Sequence, residues 1–192
     1  MSAIVEEWFG KGFAELHPLL QRLHREGGVL SGPVEISFGQ GFAGSLGRRL
    51  ASRMGVPTAA GAHRLQVNIH SEAGVLHWGR SFNGQSEFNS KFQPVGHYPS
   101  GHWLEQSGRL SLVLGVEVRD GSWHWQHRRT SLFGIPIPRA LCPATLASNG
   151  IEGELYRFSV EVRAPALGKL LGYSGTLAPN PSIERTWELV PV

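Results

Sequence analysis

The stretch HRLQVNIHSEAGVLHWGRSF, residues 63–82, decides the fold class. In its first half Leu65, Val67 and Ile69 alternate with polar residues, so the three apolar side chains share one face of a strand. The turn signal EAG, residues 72–74, then reverses the chain into a second run with the same period. This pattern predicts an antiparallel hairpin with one buried face and one solvated face.

The second half of the hairpin places an arginine among large apolar side chains. Trp78, Arg80 and Phe82 alternate along the strand and therefore point to the same side, which the apolar groups mark as the buried one. A guanidinium group keeps its proton in proteins and needs acceptors when it is enclosed. Arg80 therefore needs an acceptor, either within the chain or on a ligand.

Two explanations of Arg80 remain open. Arg80 could form an internal ion pair with Glu105 that joins two strands, with Glu117 or Glu87 as alternative partners. Arg80 could instead face a cavity and hold a carboxylate or phosphate through two parallel hydrogen bonds. The second explanation makes Arg80 a ligand-binding residue.

Helical spacing is confined to the first third of the chain. Residues 3–26 predict two short helices with a break near His17, because Pro18 suits the first turn of a helix. Residues 42–54 predict an amphipathic helix that buries one apolar stripe. The members of that stripe are spaced four apart: Phe42, Leu46, Leu50 and Met54.

Period-two patterning dominates the remainder and predicts about eight antiparallel strands. We expect an α+β fold, a curved antiparallel sheet or partly closed barrel of about eight strands, covered by the N-terminal helices. The proline-rich run GIPIPRALCP, residues 134–143, should be an extended or edge segment because proline lacks a backbone donor. The pattern ends near Pro179, so we expect one domain over residues 1–178 and an appendage over residues 179–192.

Composition excludes several classes of protein. The 192 residues carry a formal net charge of only +3 with no basic run, which argues against a nucleic-acid partner. No stretch reaches 18 apolar residues, so we expect no membrane span. The single cysteine, Cys142, cannot form a disulfide within the chain and favours a cytoplasmic location.

A series of short motifs, taken in order, resembles a known family. The series is similar to the bacterial domain-of-unknown-function family 4166 over about residues 15–177. The resemblance implies no activity, but family members occur alone or attached to dehydrogenase-like domains, which implies a possible dehydrogenase-like protein partner. The motifs are ELHPLLQRLH (15–24), VEISFGQG (34–41), GVP (55–57), HWGRSF (77–82), EQSGRLSL (105–112), GIPIPRALCP (134–143) and YRFSVEVRAPALGKLLGYSGTL (156–177).

The nine histidines form no strong metal signature, and we predict no metal site. The best loop pair is His97 and His102 in GHYPSGHW. His63, His70 and His77 recur at intervals of seven, and a separation of seven along a strand places side chains on opposite faces.

No cofactor is predicted either. Gly39, Gly41 and Gly44 match GxGxxG spacing, but the βαβ context of a dinucleotide site is missing. Nothing near Cys142 in the sequence activates its thiol, and Asp120, the one aspartate, lies in a turn, so no catalytic triad is visible.

Three functional hypotheses follow. The first is a binding module whose pocket takes a small apolar or amphipathic anionic ligand. The second is an enzyme acting on a small carbonyl or acyl substrate with Arg80, Glu105 and a histidine. The third is an interaction domain that presents the Trp-rich hairpin 122–127 to the dehydrogenase-like partner. The predicted ligand-binding residues are Arg80, Trp78, Phe82, Glu105, Trp103, Tyr173, His17 and His24.

Overall fold

The computed structural model describes residues 4–107, 110–138 and 142–179. The last strand ends at Pro179, and the rest of the predicted appendage, residues 180–192, lies outside the described residues. The described helices are α1 (Ile4–Phe9), a 3-10 helix (Gly10–Glu15), α2 (Pro18–Glu26) and α3 (Gly41–Arg53).

The described part of the chain contains eleven strands in one antiparallel sheet. They are β1 (Gly28–Phe38), β2 (Gly61–Glu72), β3 (Val75–Phe82), β4 (Phe88–Val95), β5 (His102–Ser107), β6 (Leu110–Arg119), β7 (Ser122–Leu132), β8 (Ile135–Ile137), β9 (Ala144–Glu152), β10 (Leu155–Ala164) and β11 (Gly168–Pro179).

The sheet closes into a barrel of ten strands. The strand order is β6-β5-β4-β3-β2-β1-β11-β10-β9-β7, and pairing of β6 with β7 joins the two ends. The short strand β8 lies outside the ring and pairs with β7, as expected for the proline-rich edge segment. Closure leaves the ten strands with neighbours on both sides, which removes the exposed edges of an open sheet.

The expected number of about eight strands was too low, and the barrel is closed rather than partly closed. Strand β9 has the sequence ATLASNGIE, in which small and polar residues replace the alternating large apolar ones. Because strand prediction from sequence relies on that alternation, β9 carries too weak a signal to be counted. Strand β9 also pairs with both β7 and β10, so it is needed for closure.

Tight turns fix the strand register. Asp120 and Gly121 join β6 to β7 with φ angles of 49° and 73°. Positive φ at both central residues is the geometry of the hairpin turn that Asp-Gly pairs favour. The turn therefore pairs Val118 with Trp123 and directs both to the same side of the sheet.

The N-terminal helices cover one end of the barrel, as predicted. The backbone N–H of His17 donates to Gly121 O at 3.0 Å, and that of Tyr98 donates to Trp8 O at 2.9 Å. Helix α2 ends at Glu26, and the φ of 74° at the following Gly27 is the left-handed conformation in which glycine commonly ends a helix. None of the described helices has the length and apolar character needed to cross a membrane.

Helix α3 corrects a prediction. The predicted apolar stripe is only part of its packed face: Phe42 is 72% exposed, whereas Leu46, Leu50 and Met54 are partly buried and pack against the core. The face against the sheet consists of small residues: Ala43, Gly44, Gly47 and Ala51. A Cβ atom at Gly47 would overlap the carbonyl oxygen of Leu170, so the helix lies directly on the backbone of β11.

Candidate functional site

The register of the strands places Arg80 inside the barrel. Arg80 pairs with Val67 on β2, and Trp78 pairs with Ile69 on β2 and with Ser90 on β4. Val67, Ile69 and Ser90 are all buried, which identifies their shared face as the interior. The face that the period-two pattern assigned to Arg80 is therefore confirmed.

Two neutral side chains bind the guanidinium group of Arg80. Nη1 donates to Tyr173 Oη at 3.1 Å, and Nη2 donates to Ser90 Oγ. The guanidinium carbon also lies 5.5 Å from the centre of the Phe88 ring. Nε is enclosed and has no hydrogen-bond partner among the described residues. The cation is thus held by hydroxyl groups and retains an unused donor.

The ion pair expected for Arg80 does not form within the described residues. None of their carboxylates lies within 4.0 Å of its guanidinium nitrogens. Glu87 accepts a hydrogen bond from Asn89, and Glu117 pairs with Arg119. Glu105 pairs with Phe92 and Leu112 across the sheet and so projects from the interior face.

Electrostatics nevertheless connects Glu105 to Arg80. Burial by itself lowers the pKa of Arg80, but electrostatic interactions with Tyr173 and Glu105, together with the hydrogen bond to Tyr173, raise it above its ordinary value. Arg80 therefore stays cationic inside the barrel. The arrangement is a positive charge with a carboxylate in the same interior, without direct contact between the two.

Aromatic side chains surround this charge on the interior face. Trp78 lies 5.4 Å from Phe92 and 6.1 Å from Trp125, measured between ring centres. Phe82 meets the Tyr173 ring edge to face at 5.9 Å. The predicted site residues Trp78, Phe82 and Tyr173 therefore lie on the same interior face as Arg80.

Trp103 lies at the end of the aromatic cluster that is nearest to helix α1. Its ring is fully buried, 6.2 Å from Trp123 and 5.2 Å from Trp8 of helix α1. Trp123 and Trp125 are buried as well. The tryptophans of residues 122–127 therefore do not form a contact surface, which corrects that part of the interaction hypothesis.

His24 of α2 enters the barrel from the covered end. The side chain is 2% exposed and lies between the rings of Trp78, at 6.3 Å, and Trp123, at 4.9 Å. Burial lowers its pKa to about 4, so the imidazole is neutral at pH 7. Neither ring nitrogen has a hydrogen-bond partner among the described residues.

His17 does not join the interior group. Its Nδ1 accepts a hydrogen bond from the backbone N–H of Leu19 at 3.3 Å, which caps the start of α2. His17 and His24 were predicted together as ligand-binding residues, but His17 precedes the helix with an extended ψ of 139°. A capping role satisfies an unpaired helix donor and leaves that ring nitrogen occupied.

The interior holds further buried polar atoms without partners in the described residues. The Nε1 atoms of Trp78, Trp103 and Trp123 and the Oδ1 atom of Asn149 belong to this group. Buried polar groups are paired in most native proteins, so each exception calls for an explanation such as water or a ligand. Here the unpaired atoms share the interior face with Arg80 and His24.

Sequence reasoning missed three interior polar residues: Ser90, Asn149 and Tyr156. Ser90 binds Arg80, and Asn149 forms a hydrogen bond with Tyr156. Burial raises the pKa of Tyr156, and the hydrogen bond from Asn149 opposes this only in part. Alternation with Phe88 and Phe92 is the signal that could have placed Ser90 on the buried face, and alternation with Phe158 could have placed Tyr156 there. Asn149 lies on β9, whose strand signal is weak.

A cavity of about 560 Å³ lies between α2 and the barrel rim. Its wall includes Leu30, Ile69 and Tyr156, three side chains that face the interior. Ile69 is the cross-strand neighbour of Trp78, so the cavity adjoins the strand that carries Arg80. The volume falls within the range of ligand pockets in proteins.

His70 and His77 lie on the same outer face of the sheet, although their separation of seven predicted opposite faces. His70 and His77 are cross-strand partners whose rings stack at 4.8 Å with an interplanar angle of 10°. The argument from a separation of seven was wrong because it counted along one strand, whereas the hairpin turn reverses the chain between them. His97 and His102 belong to no group of three metal-binding side chains found among the described residues.

The family comparison matches nearly the whole barrel. Residues 16–177 match the family model described as Domain of unknown function (DUF4166). This chain belongs to the DUF4166 family. The match runs from α2 through β11, so the DUF4166 region contains all ten barrel strands and Arg80. No curated protein and no solved structure matches the chain.

Proposed function

We propose that this DUF4166 domain binds a small amphipathic anion inside its barrel, with Arg80 holding the anionic end. The observation that carries the proposal is the guanidinium group of Arg80, a partly buried residue, which the described residues supply with two hydroxyl acceptors but no carboxylate within 4.0 Å. A carboxylate or phosphate would supply a counter-charge in direct contact with Arg80 and accept from its Nε–H, which has no partner among the described residues.

The surrounding side chains suit the apolar part of such a ligand. Trp78 and Phe82 flank Arg80 on its own strand, and Tyr173 and Trp103 extend the apolar interior. The Nε1–H of Trp78 has no acceptor among the described residues and could donate to a polar ligand atom. Glu105, which shares the interior with Arg80, would disfavour a second anionic group and so favour a ligand with a single charged end.

The cavity beneath α2 offers the proposed ligand a route from solvent towards the barrel interior. It lies where the helix meets the β9–β10 hairpin, and its lining combines apolar side chains with the charged groups of Arg22, Glu26 and Glu154. An amphipathic molecule would enter with its apolar body towards Leu30 and Tyr156. His24, neutral at pH 7, adds an aromatic surface without a second charge.

The enzyme hypothesis receives less support from the geometry. His17 caps a helix, and His24 has no carboxylate partner among the described residues, so neither forms an acid–base pair with Glu105. A cytoplasmic location, favoured by the single cysteine, and a dehydrogenase-like partner both stay predictions. The binding hypothesis requires neither.

Tryptophan fluorescence tests the proposal directly. Wild type would be titrated with fatty acids of increasing chain length and with the matched alcohols, because only the acids can pair with Arg80. We expect the acid to bind about 10–100-fold more tightly than its alcohol, the value of a hydrogen bond to a charged group. Arg80→Met should remove this preference while binding of the alcohol persists.

Arg64→Met is the matched control, since Arg64 is exposed on the outer face of β2. It should bind like wild type, whereas Arg80→Lys should retain part of the preference because it keeps the charge but loses the two-pronged geometry. Equal affinity of wild type for acid and alcohol, or an unchanged preference in Arg80→Met, would contradict the role of Arg80.

A further inference from the structure

The outer face of the β2–β3 hairpin brings together three side chains that ligate metals. His70 and Glu72 lie two residues apart on β2, and His77 pairs with His70 across the hairpin. One ligand atom from each of the three lies within 4.8 Å of the others. The group lies on the outer face of the sheet, and although His70 also lines the cavity beneath α2, the inference does not rest on the proposed interior ligand.

The chemistry of these donors is specific. Two imidazole nitrogens and one carboxylate oxygen are a ligand set that suits Zn²⁺, whereas Mg²⁺ and Ca²⁺ prefer sets made of oxygen alone. Three protein ligands leave the fourth tetrahedral position to water. His70 and His77 are half-buried and Glu72 is exposed, so an ion would be reached from solvent.

Only side-chain rotation separates the observed arrangement from a coordinated ion. Bonds of about 2.0–2.1 Å around a tetrahedral ion place the ligand atoms roughly 3.4 Å apart. The cross-strand register already sets the two histidines side by side, with ring centres 4.8 Å apart. The χ2 torsion of histidine is broad, so the ring nitrogens can converge without movement of the strands.

We propose that His70, Glu72 and His77 form a surface site for a divalent transition-metal ion of the Zn²⁺ type. Lys91, the cross-strand neighbour of His77 on β4, is the nearby positive charge that opposes binding. Its presence predicts moderate affinity, in the micromolar range rather than that of a structural zinc site.

Isothermal titration calorimetry of the untagged protein with ZnCl₂ at pH 7.5 tests the site. We expect wild type to bind one equivalent of zinc with micromolar affinity and to show no comparable binding of MgCl₂. His70→Ala and His77→Ala should each weaken binding at least about tenfold, the loss caused by removal of even an outer-shell partner. Glu72→Gln should weaken it less, since an amide oxygen can still contact the ion.

Two further variants distinguish zinc binding at this site from zinc binding by surface histidines elsewhere on the protein. His97→Ala removes an exposed loop histidine and should bind zinc like wild type. Lys91→Gln should tighten binding about threefold because it removes a repulsive charge. In long-range ¹H–¹⁵N NMR spectra, zinc should change the chemical shifts of the ring nitrogens of His70 and His77 but not those of His97.

The outcomes are decisive in both directions. Zinc bound to wild type and lost in both histidine variants, each still folded by circular dichroism, supports the site. Zinc binding that is equal in wild type and His77→Ala would overturn it, as would the failure of wild type to bind zinc at millimolar concentration. Weak binding at many sites, unaffected by any of the variants, would show only adventitious histidine affinity and would also overturn the proposal.

Discussion

Lowering the pH should destabilise this domain through His24. The imidazole is enclosed between Trp78 and Trp123, and burial lowers its pKa to about 4 from an ordinary value of 6.5. Between these values the unfolded chain binds a proton that the folded barrel excludes. Stability from His24 is therefore fully present above pH 6.5 and is lost as the pH falls towards 4.

The size of the effect follows from the two pKa values. A difference of about 2.5 units corresponds to roughly 3 kcal/mol in total, of which about 2 kcal/mol is lost between pH 7 and pH 5. Urea unfolding of wild type at pH 7, 6 and 5, followed by tryptophan fluorescence, measures the unfolding free energy at each pH. Carboxylates paired in the folded state contribute to the same slope.

Replacement of His24 isolates its share of that slope. His24→Phe keeps a flat ring between the two indoles and cannot titrate, and His24→Leu is an alternative if the larger ring does not fit. The fall in unfolding free energy from pH 7 to pH 5 should be about 2 kcal/mol smaller in the variant than in wild type. Identical slopes would refute the claim that His24 is buried and neutral, whatever the absolute stabilities.

Two other substitutions test the packing of the barrel. Arg80→Met should change the unfolding free energy by no more than about 1 kcal/mol, because removing a buried charge that has no carboxylate in contact with it offsets the loss of its hydrogen bonds. If urea unfolding instead shows a loss of about 3–5 kcal/mol, the substitution has broken an internal ion pair. Gly47→Ala should cost more than about 2 kcal/mol despite its better helix propensity, because the new Cβ overlaps Leu170 O, whereas Ser52→Ala on the exposed side of α3 should be nearly neutral. Equal thermal stability of the two α3 variants would contradict the close approach of α3 to β11.

The interior face of the barrel could be predicted from sequence because strands have an exact side-chain period. Trp78 and Phe82 assigned Arg80 to the buried side, and that assignment needed only local information. The lack of a carboxylate within 4.0 Å of Arg80 among the described residues could not be predicted in the same way. It depends on how β5 aligns with β4 and β4 with β3, which is set by turns and barrel closure rather than by the residues near Arg80.

The structure departs from the prediction where small or polar residues form the packing contacts or complete the sheet. Helix α3 packs through Gly44 and Gly47, although its sequence offers a stripe of larger apolar residues four apart. Strand β9 completes the barrel with Asn149 as its one buried side chain. The contact of His24 with Trp123 joins residues 99 positions apart, and a one-dimensional pattern carries no signal for such a pair.

The central claim is that Arg80 binds the anionic end of a ligand within the barrel. The most direct measurement is native mass spectrometry of the protein as purified, followed by denaturation to release any bound small molecule. We expect wild type and Arg64→Met to carry an anionic amphiphile, and folded Arg80→Met to carry none. The same bound mass in Arg80→Met and wild type, or an empty wild-type barrel, would contradict the account.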